Sequence, residues 1–194
     1  MPAPVTESPS AVLTDAERAT HEIVCENLSA AIVELVGDYG LDAGPVHVLP
    51  EPSCIEGHQV AGIIGFAGPH LGGTLAIRAA SETVRRCLPV RSVAALDTQA
   101  VGDWIAELAN QLIGRTKNKL LRYDVTFQLT PPTFAAANEL LVLGCDGART
   151  SWLSVTTSAG PWLAMLELRS DPHLTLALVS DGSVAYAEGE MLLF

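Results

Sequence analysis

Residues 102–120, GDWIAELANQLIGRTKNKL, have the pattern that decides how the rest of the chain is interpreted. At about 100° per residue, this stretch divides into an apolar side and a polar side. The apolar side consists of Ile105, Leu108, Ala109, Leu112 and Thr116. The polar side is a stripe roughly 80° wide that consists of Asp103, Glu107, Asn110, Gly114 and Lys117. We therefore predict an amphipathic helix from about Asp97 to Leu121, with its apolar side buried.

The polar stripe has two interpretations. Glu, Asn and Lys are ordinary on the exposed face of a helix, so the stripe could simply face solvent. Asn is a poor helix former, however, and Gly inside a helix costs about 1 kcal/mol relative to Ala. In the second interpretation, Gly114 leaves room for another surface. Glu107 and Asn110, which are neighbours on the helix at a spacing of i and i+3, then supply the chemistry.

An amide beside a carboxylate, without a nucleophile or a group of metal ligands, suits one kind of reaction. Asn can hold a water molecule through its donor and acceptor groups without becoming charged. Phosphoryl transfer requires mainly that the nucleophile be positioned in line, and the electrostatics can come from a partner. A side chain of this kind could orient a water molecule against an acyl phosphate presented by another protein.

The composition describes one acidic, globular domain. The chain has 194 residues, of which 48% are hydrophobic and 17% charged, so it can form a full core. Its net charge of −11 argues against binding nucleic acid through overall charge. It has no secretory signal and no apolar run long enough to span a membrane, so we expect a cytoplasmic protein without membrane contact.

The cysteines, histidines and serines predict neither a metal site nor a nucleophilic active site. The four cysteines lie far apart without a CxxC pair, which favours small buried side chains. The five histidines have neither HxxxH nor HxH spacing. No serine lies in a G-x-S-x-G motif. We therefore expect that the chain binds no metal and no cofactor of its own.

The basic residues are concentrated around the helix. Eight of the eleven lie between Arg78 and Arg122 with only four acidic residues, so this stretch has a net charge of +4 and the remainder −15. Lys117 and Lys119 near the end of the helix could complement its dipole. Alternatively, the stretch forms a locally positive surface that receives an acidic partner.

The elements around this helix predict an α+β fold. Thr14 and Glu17 have the spacing of a capping box, so a first long helix begins there. Residues 59–78, QVAGIIGFAGPHLGGTLAIR, predict two strands joined by a Gly-rich turn, and Ser81 is a good N-cap for a short helix. After the second long helix, VTFQL predicts a strand that stops at Pro131–Pro132.

The remaining sequence predicts further strands. These are ELLVLG (139–144), SWLSVTT (151–157), WLAMLEL (162–168) and LTLALVS (174–180), the last two forming an antiparallel hairpin. We therefore predict two long helices packed on an antiparallel β-sheet. Residues 1–13 are predicted as a flexible N-terminal tail, 14–181 as the domain, and 182–194 as a C-terminal tail or an extra edge strand.

Several of these motifs resemble the CheX-like chemotaxis phosphatases of the CheC/CheX/FliY superfamily. The resemblance rests on a D-x-x-x-E-x-x-N-x-x-x-G helix, here Asp103, Glu107, Asn110 and Gly114, followed by a strand that ends in LTPPT. GIIGFAGPHLGGTLAIR is similar to the Gly-rich hairpin of the family. The likeness covers roughly residues 14–181 and implies the CheC/CheX-like fold.

The resemblance implies a protein phosphatase that hydrolyses the aspartyl phosphate of a CheY-type receiver domain. Asn110 would orient the water and Glu107 would dock on the receiver lysine, with Asp103, Gly114 and Lys117 contacting the partner. The divalent metal is expected in the receiver. The first helix has no Asn three residues after Glu17, Glu22 or Glu26, so the resemblance is to the CheX type with a single E-x-x-N helix.

Other assignments stay open. The family's dimers imply a possible homodimer, formed here through sheet edges. The same helix face would also serve a non-catalytic receiver-binding or scaffolding module in two-component signalling. A structural component of a motor or sensory array is a third alternative. The pathway could be chemotaxis or another two-component system.

Overall fold

The structure is a computed structural model that describes residues 14–88, 97–142, 144 and 148–179. Over these residues it contains three α-helices, α1 (Asp15–Asp38), α2 (Ser81–Arg86) and α3 (Thr98–Leu120). A 3-10 turn, Leu121–Tyr123, follows α3. The strands of the same part of the chain are β1 (His47–Leu49), β2 (Gln59–Ala67), β3 (Leu71–Ala80), β4 (Gln128–Leu129), β5 (Thr133–Ala137), β6 (Arg149–Thr157) and β7 (Gly160–Ser170).

All of these strands belong to one antiparallel sheet. Its order is β1–β6–β7–β3–β2, and both β4 and β5 pair with the remaining edge of β2. Two hairpins form its centre. β2 pairs with β3 across the predicted Gly-rich turn, and β6 pairs with β7 across the turn at 158–159. The predicted fold class, two long helices packed on an antiparallel sheet, is confirmed.

The outer edge of β2 is paired by an interrupted strand. β4 pairs with residues 66–67 of β2, and β5 pairs with residues 59–63 further along the same edge. Between them, the prolines at 131 and 132 cannot donate to the ladder. Thr130 spans the gap, since its N–H donates to the Gly65 carbonyl and its Oγ1 accepts from the Gly65 N–H, each at 2.9 Å. The strand that was predicted to stop at the prolines therefore resumes after them.

Both long helices begin at a side-chain cap. Thr14 and Glu17 form the predicted capping box: the Glu17 N–H donates to Thr14 Oγ1 at 3.2 Å, and the Thr14 N–H donates to Glu17 Oε2 at 2.8 Å. At the start of α3, Asp97 Oδ1 accepts from the Ala100 N–H at 2.8 Å. These caps satisfy backbone donors that have no partner within the first turn, and the Asp97 carboxylate also complements the helix dipole.

α1 and α3 lie on one face of the sheet and enclose the main core. Gly62 of β2 brings α3 close to the sheet, because a Cβ at this position would collide with the backbone carbonyl of Ile105. This close approach fixes which side of α3 is buried and which side faces outward. The most completely buried side chains of this core include Leu28, Leu35, Leu75, Leu108 and Leu112.

Irregular chain covers part of the opposite face of the sheet. A smaller apolar cluster lies there, formed by Ile55, Ala76, Trp152, Leu163 and Met165. Arg78 on the same face is only 6% exposed and donates to the backbone carbonyls of Ser53, at 2.7 Å, and of Leu140. The predicted strand ELLVLG is wrong, because residues 139–142 contain no strand and follow this irregular path.

The structure contradicts two further predictions, one in the C-terminal part of the chain and one at the start of α2. Residues 174–179 form no strand, so the predicted hairpin of WLAMLEL with LTLALVS is wrong; β7 pairs with β3 and β6 instead. This segment is held by hydrogen bonds from Thr20 Oγ1 to the Leu174 carbonyl, at 3.1 Å, and from the Val179 N–H to the Arg122 carbonyl, at 2.9 Å. Ser81 is the first residue of α2 rather than its N-cap.

Some predictions are not tested by this part of the chain. The tails predicted at 1–13 and 182–194 lie outside the described residues, and the boundary near 181 lies there too. The domain limits and the homodimer therefore stay predictions. No helix in the described ranges combines the length and apolar character that crossing a membrane requires.

Candidate functional site

The candidate site is the outward side of α3. The five apolar-side residues predicted from the helical wheel are all buried, as expected. The polar stripe faces outward, and its degree of exposure varies along the helix. Asp103 is exposed, whereas Glu107, Asn110, Gly114 and Lys117 are half-buried. The helix therefore presents the predicted stripe on the surface of the protein, partly sheltered by its neighbours.

Glu107 is held by a short chain of hydrogen bonds. Its Oε1 accepts from Nε2 of Gln111, one turn further along α3, at 3.0 Å. Oε1 of Gln111 accepts in turn from the hydroxyl of Tyr39 at 2.8 Å. Tyr39 is the C-cap residue of α1. Within the described residues Glu107 accepts no other hydrogen bond, so its second carboxylate oxygen is open to an external donor.

Asn110 lies one turn from Glu107 and is not engaged by the rest of the protein. Its side chain forms no hydrogen bond with any residue that the structure describes, although it is half-buried. Buried or half-buried amides are usually hydrogen-bonded, to protein or to ordered water. This amide is therefore available to bind a water molecule, a phosphoryl oxygen or both.

Gly114 leaves open space one turn beyond Asn110. A Cβ built on Gly114 would have no heavy atom of the described residues within 4 Å. The folded chain itself therefore does not require glycine at this position for packing. The open space agrees with the prediction that the glycine leaves room for another surface. The approach of such a surface stays a prediction.

The two ends of the stripe have different surroundings. At the N-terminal end, Oδ1 of Asp103 accepts from Nε2 of Gln99 at 2.8 Å. At the other end, Nζ of Lys117 lies 6.0 Å from the centre of the Phe127 ring. At about 1.5 Å per residue, Lys117 lies roughly 15 Å along the helix from Glu107. Both side chains are on the predicted face, but neither forms a hydrogen bond or an ion pair with the Glu107–Asn110 pair.

Several basic side chains of the predicted positive surface are engaged by other parts of the protein. Nζ of Lys119 lies 2.6 Å from a carboxylate oxygen of Glu34, and Arg115 makes the same contact, at 2.6 Å, with Asp38. Both acidic partners belong to α1. Arg78 is buried and donates to backbone carbonyls, as described above. These basic side chains therefore join the two helices or support the sheet, and do not form a free surface for an acidic partner.

The cysteines and histidines do not form a reactive site in the described ranges. No group of three or more His, Cys, Asp and Glu there could hold a metal ion. His21, 4% exposed, has Nε2 3.0 Å from Oγ of Ser151 and a ring nitrogen 3.7 Å from Sγ of Cys25. Burial, together with the charge of Arg149, lowers the pKa of His21 to about 4. Burial raises the pKa of Cys25, so its thiol is protonated and unreactive.

The hydrogen-bond chain behind Glu107 was not predicted from the sequence. Gln111 lies four residues after Glu107, and this spacing alone would have marked it as a neighbour. Tyr39 lies 72 residues away from Gln111, and no local pattern connects the two. Its position depends on how α1 ends beside α3, which is a property of the folded chain.

The α+β fold, with its long helices on one antiparallel sheet, is similar to the folds of CheC-like and CheX proteins. More particularly, residues 60–153, which include the whole of α3, match the family model described as chemotaxis phosphatase CheX. The resemblance predicted from the sequence is confirmed by this match and by the structural neighbours. A comparison with curated proteins found no sequence match.

Solved structures of chemotaxis proteins share the fold. A CheC-like superfamily protein from Shewanella sp. PV-4 is 16% identical, with a TM-score of 0.64 over 76% of this chain and 98% of that chain. CheX from Vibrio vulnificus is 16% identical, with a TM-score of 0.62 over 80% and 100% of the two chains. A CheX–CheY–BeF3–Mg2+ complex from Borrelia burgdorferi contains a chain that is 18% identical, with a TM-score of 0.56 over 77% and 97%.

Proposed function

We propose that this chain accelerates hydrolysis of the aspartyl phosphate on a CheY-type receiver domain. In this proposal Asn110 orients the attacking water, and Glu107 docks on the active-site lysine of the receiver. Asp103, Gly114 and Lys117 contact the receiver on either side of the pair. The observation that carries the proposal is an amide without a partner among the described residues, one turn from a carboxylate that is already held in place.

The chemistry assigned to Asn110 requires position rather than charge. An acyl phosphate is attacked in line by water, and the main task of the protein is to hold that water at the correct distance and angle. The Asn110 amide can accept from the water through its oxygen and donate to a phosphoryl oxygen through its nitrogen. Because it is neutral, it does this without repelling the negatively charged phosphoryl group.

The chemistry assigned to Glu107 requires charge and direction. One of its oxygens accepts from Gln111, and the other can accept from an ammonium group. A carboxylate–ammonium contact is a charge-assisted hydrogen bond, roughly twice as strong as a neutral one. Docking on the receiver lysine would align the two proteins so that Asn110 reaches the phosphoryl group.

Docking by local contacts agrees with the charge of the chain. The protein has a net charge of −11, so overall attraction to a phosphorylated partner is not expected. The basic residues Arg115 and Lys119 are engaged by α1, and they cannot replace that attraction. Recognition therefore depends on Glu107, on the space above Gly114 and on the shape of the α3 surface.

We propose no cofactor for this chain. The divalent metal would lie in the receiver beside the phosphorylated aspartate, where it neutralises charge on the phosphoryl group. The Borrelia complex of CheX and CheY contains BeF3 and Mg2+, and it supports a receiver as the partner. A receiver partner also implies that the chain acts in the cytoplasm.

The test is release of inorganic phosphate from phosphorylated CheY-type receivers of the same organism, with and without this protein. Each receiver is phosphorylated with a small acyl phosphate and then separated from it, so that only the aspartyl phosphate is measured. We expect catalytic amounts of the protein to shorten the lifetime of at least one phosphorylated receiver. Removal of Mg2+ by a chelator should abolish the acceleration, because the metal belongs to the receiver.

Binding without acceleration would support a different function. A receiver loaded with beryllofluoride keeps its phosphoryl-like group without hydrolysis, so its dissociation constant can be measured separately from the reaction. If this receiver binds while phosphate release stays at the rate of the receiver alone, the chain is a receiver-binding or scaffolding module. If no receiver binds or is dephosphorylated, the proposed function is wrong.

A further inference from the structure

We infer that Tyr39 and Gln111 are positioning residues that hold the Glu107 carboxylate in the orientation needed for docking. The inference rests on the proposed function and deepens it, because it assigns a task to two residues outside the D-x-x-x-E-x-x-N-x-x-x-G pattern. The hydroxyl of Tyr39 donates to Gln111 at 2.8 Å, and the Gln111 amide donates to Glu107 at 3.0 Å. We refer to the side chains of Tyr39, Gln111 and Glu107 together as the Tyr39 relay.

The hydrogen bonds of the Tyr39 relay can have only one donor-to-acceptor direction. An ionised carboxylate has no proton to donate, so Gln111 must present its NH2 group to Glu107. The amide oxygen of Gln111 then faces Tyr39, and the Tyr39 hydroxyl must be the donor. A flipped amide would place its oxygen against the carboxylate, which is repulsive. The carboxylate therefore sets the orientation of the amide, and the hydrogen bond from Tyr39 holds the amide in place against Glu107.

Tyr39 is itself fixed from two sides. It follows the last turn of α1, where its backbone N–H donates to the Val36 carbonyl at 3.2 Å. Its ring meets the Trp104 ring edge to face, with centroids 5.5 Å apart and an interplanar angle of 84°. Trp104 lies one turn before Glu107 on α3. The end of α1 thus positions a hydroxyl group over the part of α3 that carries the site.

A held carboxylate should bind its partner more tightly than a free one. A glutamate side chain on a helix surface samples several rotamers, and binding in one of them loses that freedom. When the relay fixes the rotamer beforehand, part of this cost is met during folding. The benefit concerns docking, so it should affect KM and the dissociation constant of the receiver. The turnover step depends on Asn110, and kcat should not change.

The relay can be tested with Tyr39→Phe and Gln111→Leu. Tyr39→Phe removes the hydroxyl and keeps the ring against Trp104; Gln111→Leu removes the amide at similar size. We expect each variant to raise KM, and the dissociation constant for the beryllofluoride-loaded receiver, by about three- to tenfold. The value of kcat should stay at that of the wild type. Equal losses in kcat, or no change in KM, would overturn the inference.

A double-mutant cycle separates positioning from a structural effect. If Tyr39 acts through Glu107, then Tyr39→Phe should have no further effect on docking in a Glu107→Ala background. A structural effect of the lost hydroxyl would persist in that background and would overturn the relay. Tyr123→Phe is the matched control, because the Tyr123 hydroxyl forms no hydrogen bond with any described residue and lies beyond the end of α3. It should behave as the wild type.

Failure of the relay and failure of the proposed function give different results. If Glu107→Ala weakens docking while Tyr39→Phe and Gln111→Leu bind like the wild type, only the relay is wrong. If Glu107→Ala itself docks and dephosphorylates like the wild type, both the relay and the assigned role of Glu107 are wrong. A shift of the Gln111 side-chain amide resonances in Tyr39→Phe provides a readout that does not depend on the receiver, and its absence would contradict the hydrogen bond itself.

Discussion

Helices α1 and α3 are similar in length and lie on the same face of the sheet, but they use their polar residues differently. Asn27 on α1 is 3% exposed; its Nδ2 donates to the Ile23 carbonyl at 2.7 Å and its Oδ1 accepts from Arg122 at 3.0 Å. Asn110 on α3 is half-buried and has no hydrogen-bond partner among the described residues. The same residue type is thus structural on one helix and available on the other.

The same difference extends to the acidic residues. Glu34 and Asp38 of α1 are engaged by Lys119 and Arg115 of α3. Glu107 of α3 is bonded to one amide and keeps a second oxygen for an external donor. The polar side of α1 is therefore engaged within the protein, whereas Glu107 and Asn110 on α3 retain groups that can bind an external partner.

The largest predicted effect is a pH dependence of the stability of the protein, caused by His21 on α1. Burial lowers the pKa of His21 to about 4 in the folded protein, from 6.5 in the unfolded chain. The unfolded chain therefore takes up a proton first as pH falls, so stability is lost progressively between pH 6.5 and about 4. At 1.36 kcal/mol per pKa unit, His21 should account for a loss of about 3 kcal/mol.

Chemical denaturation of the wild type and of His21→Gln between pH 7 and pH 4 measures this contribution. Carboxylates titrate in the same range in both proteins, so the difference between the two slopes isolates His21. We expect the variant to have the shallower slope. Parallel slopes would mean that His21 is protonated without penalty in the folded protein and that its cluster with Ser151 and Cys25 is accessible to solvent.

The next largest effect is expected from replacing each of the two asparagines by alanine. Asn110→Ala should lower the dephosphorylation rate by about 10- to 100-fold, because a positioning group for water is lost. Its unfolding free energy should change little, since no described residue bonds to this side chain. Asn27→Ala should do the reverse, with an unchanged rate and a loss of about 1 kcal/mol in stability. Phosphate release and chemical denaturation measure both quantities for each variant.

Together, Asn110→Ala and Asn27→Ala test whether the asparagines of α3 and α1 have different roles. If Asn110→Ala unfolds more readily than Asn27→Ala, then Asn110 belongs to the structure and its assigned role is wrong. If both variants dephosphorylate at the wild-type rate, the water is positioned by another group. Only opposite changes in rate and stability support the division of roles between α3 and α1.

The fold was predictable where local patterns agree with tertiary pairing. The long helices have caps and apolar stripes, and the β2–β3 hairpin has a Gly-rich turn between apolar runs. β5 was missed because three of its five residues are alanines, which are depleted in strands, and pairing with β2 forms it. ELLVLG and LTLALVS were wrong for the opposite reason. Both look like strands, but the described residues of each lie off the sheet.

The candidate site was predictable only for the residues that lie on one helix. The wheel identifies Glu107 and Asn110 because both the stripe and the buried side repeat along α3. The partners of Arg115 and Lys119 lie 77 and 85 residues away on α1, so the expected positive surface could not be corrected from the sequence. Tyr39 was missed for the same reason. Contacts between helices, which depend on the fold, decide which charges and amides stay available.

The smallest effect concerns the space beside the site. Gly114 on α3 and Gly37 on α1 are both helical glycines. Among the residues that the structure describes, neither has a heavy atom within 4 Å of the position that a Cβ would occupy. Replacement of either by alanine should raise the unfolding free energy, by at most about 1 kcal/mol, because alanine loses less backbone entropy in a helix. Gly37 lies in the last turn of α1, so its gain should be the smaller of the two.

The two glycine variants should differ in docking, although neither added methyl group meets a described residue in the isolated protein. Gly114→Ala adds a methyl group where the receiver is proposed to approach, and overpacking of a close interface should weaken binding by about tenfold. Gly37→Ala should bind the beryllofluoride-loaded receiver like the wild type. Calorimetry for stability and titration for binding give both values. Equal binding of the two variants would show that the receiver does not approach α3 at Gly114, and the glycine would then have no role in the site.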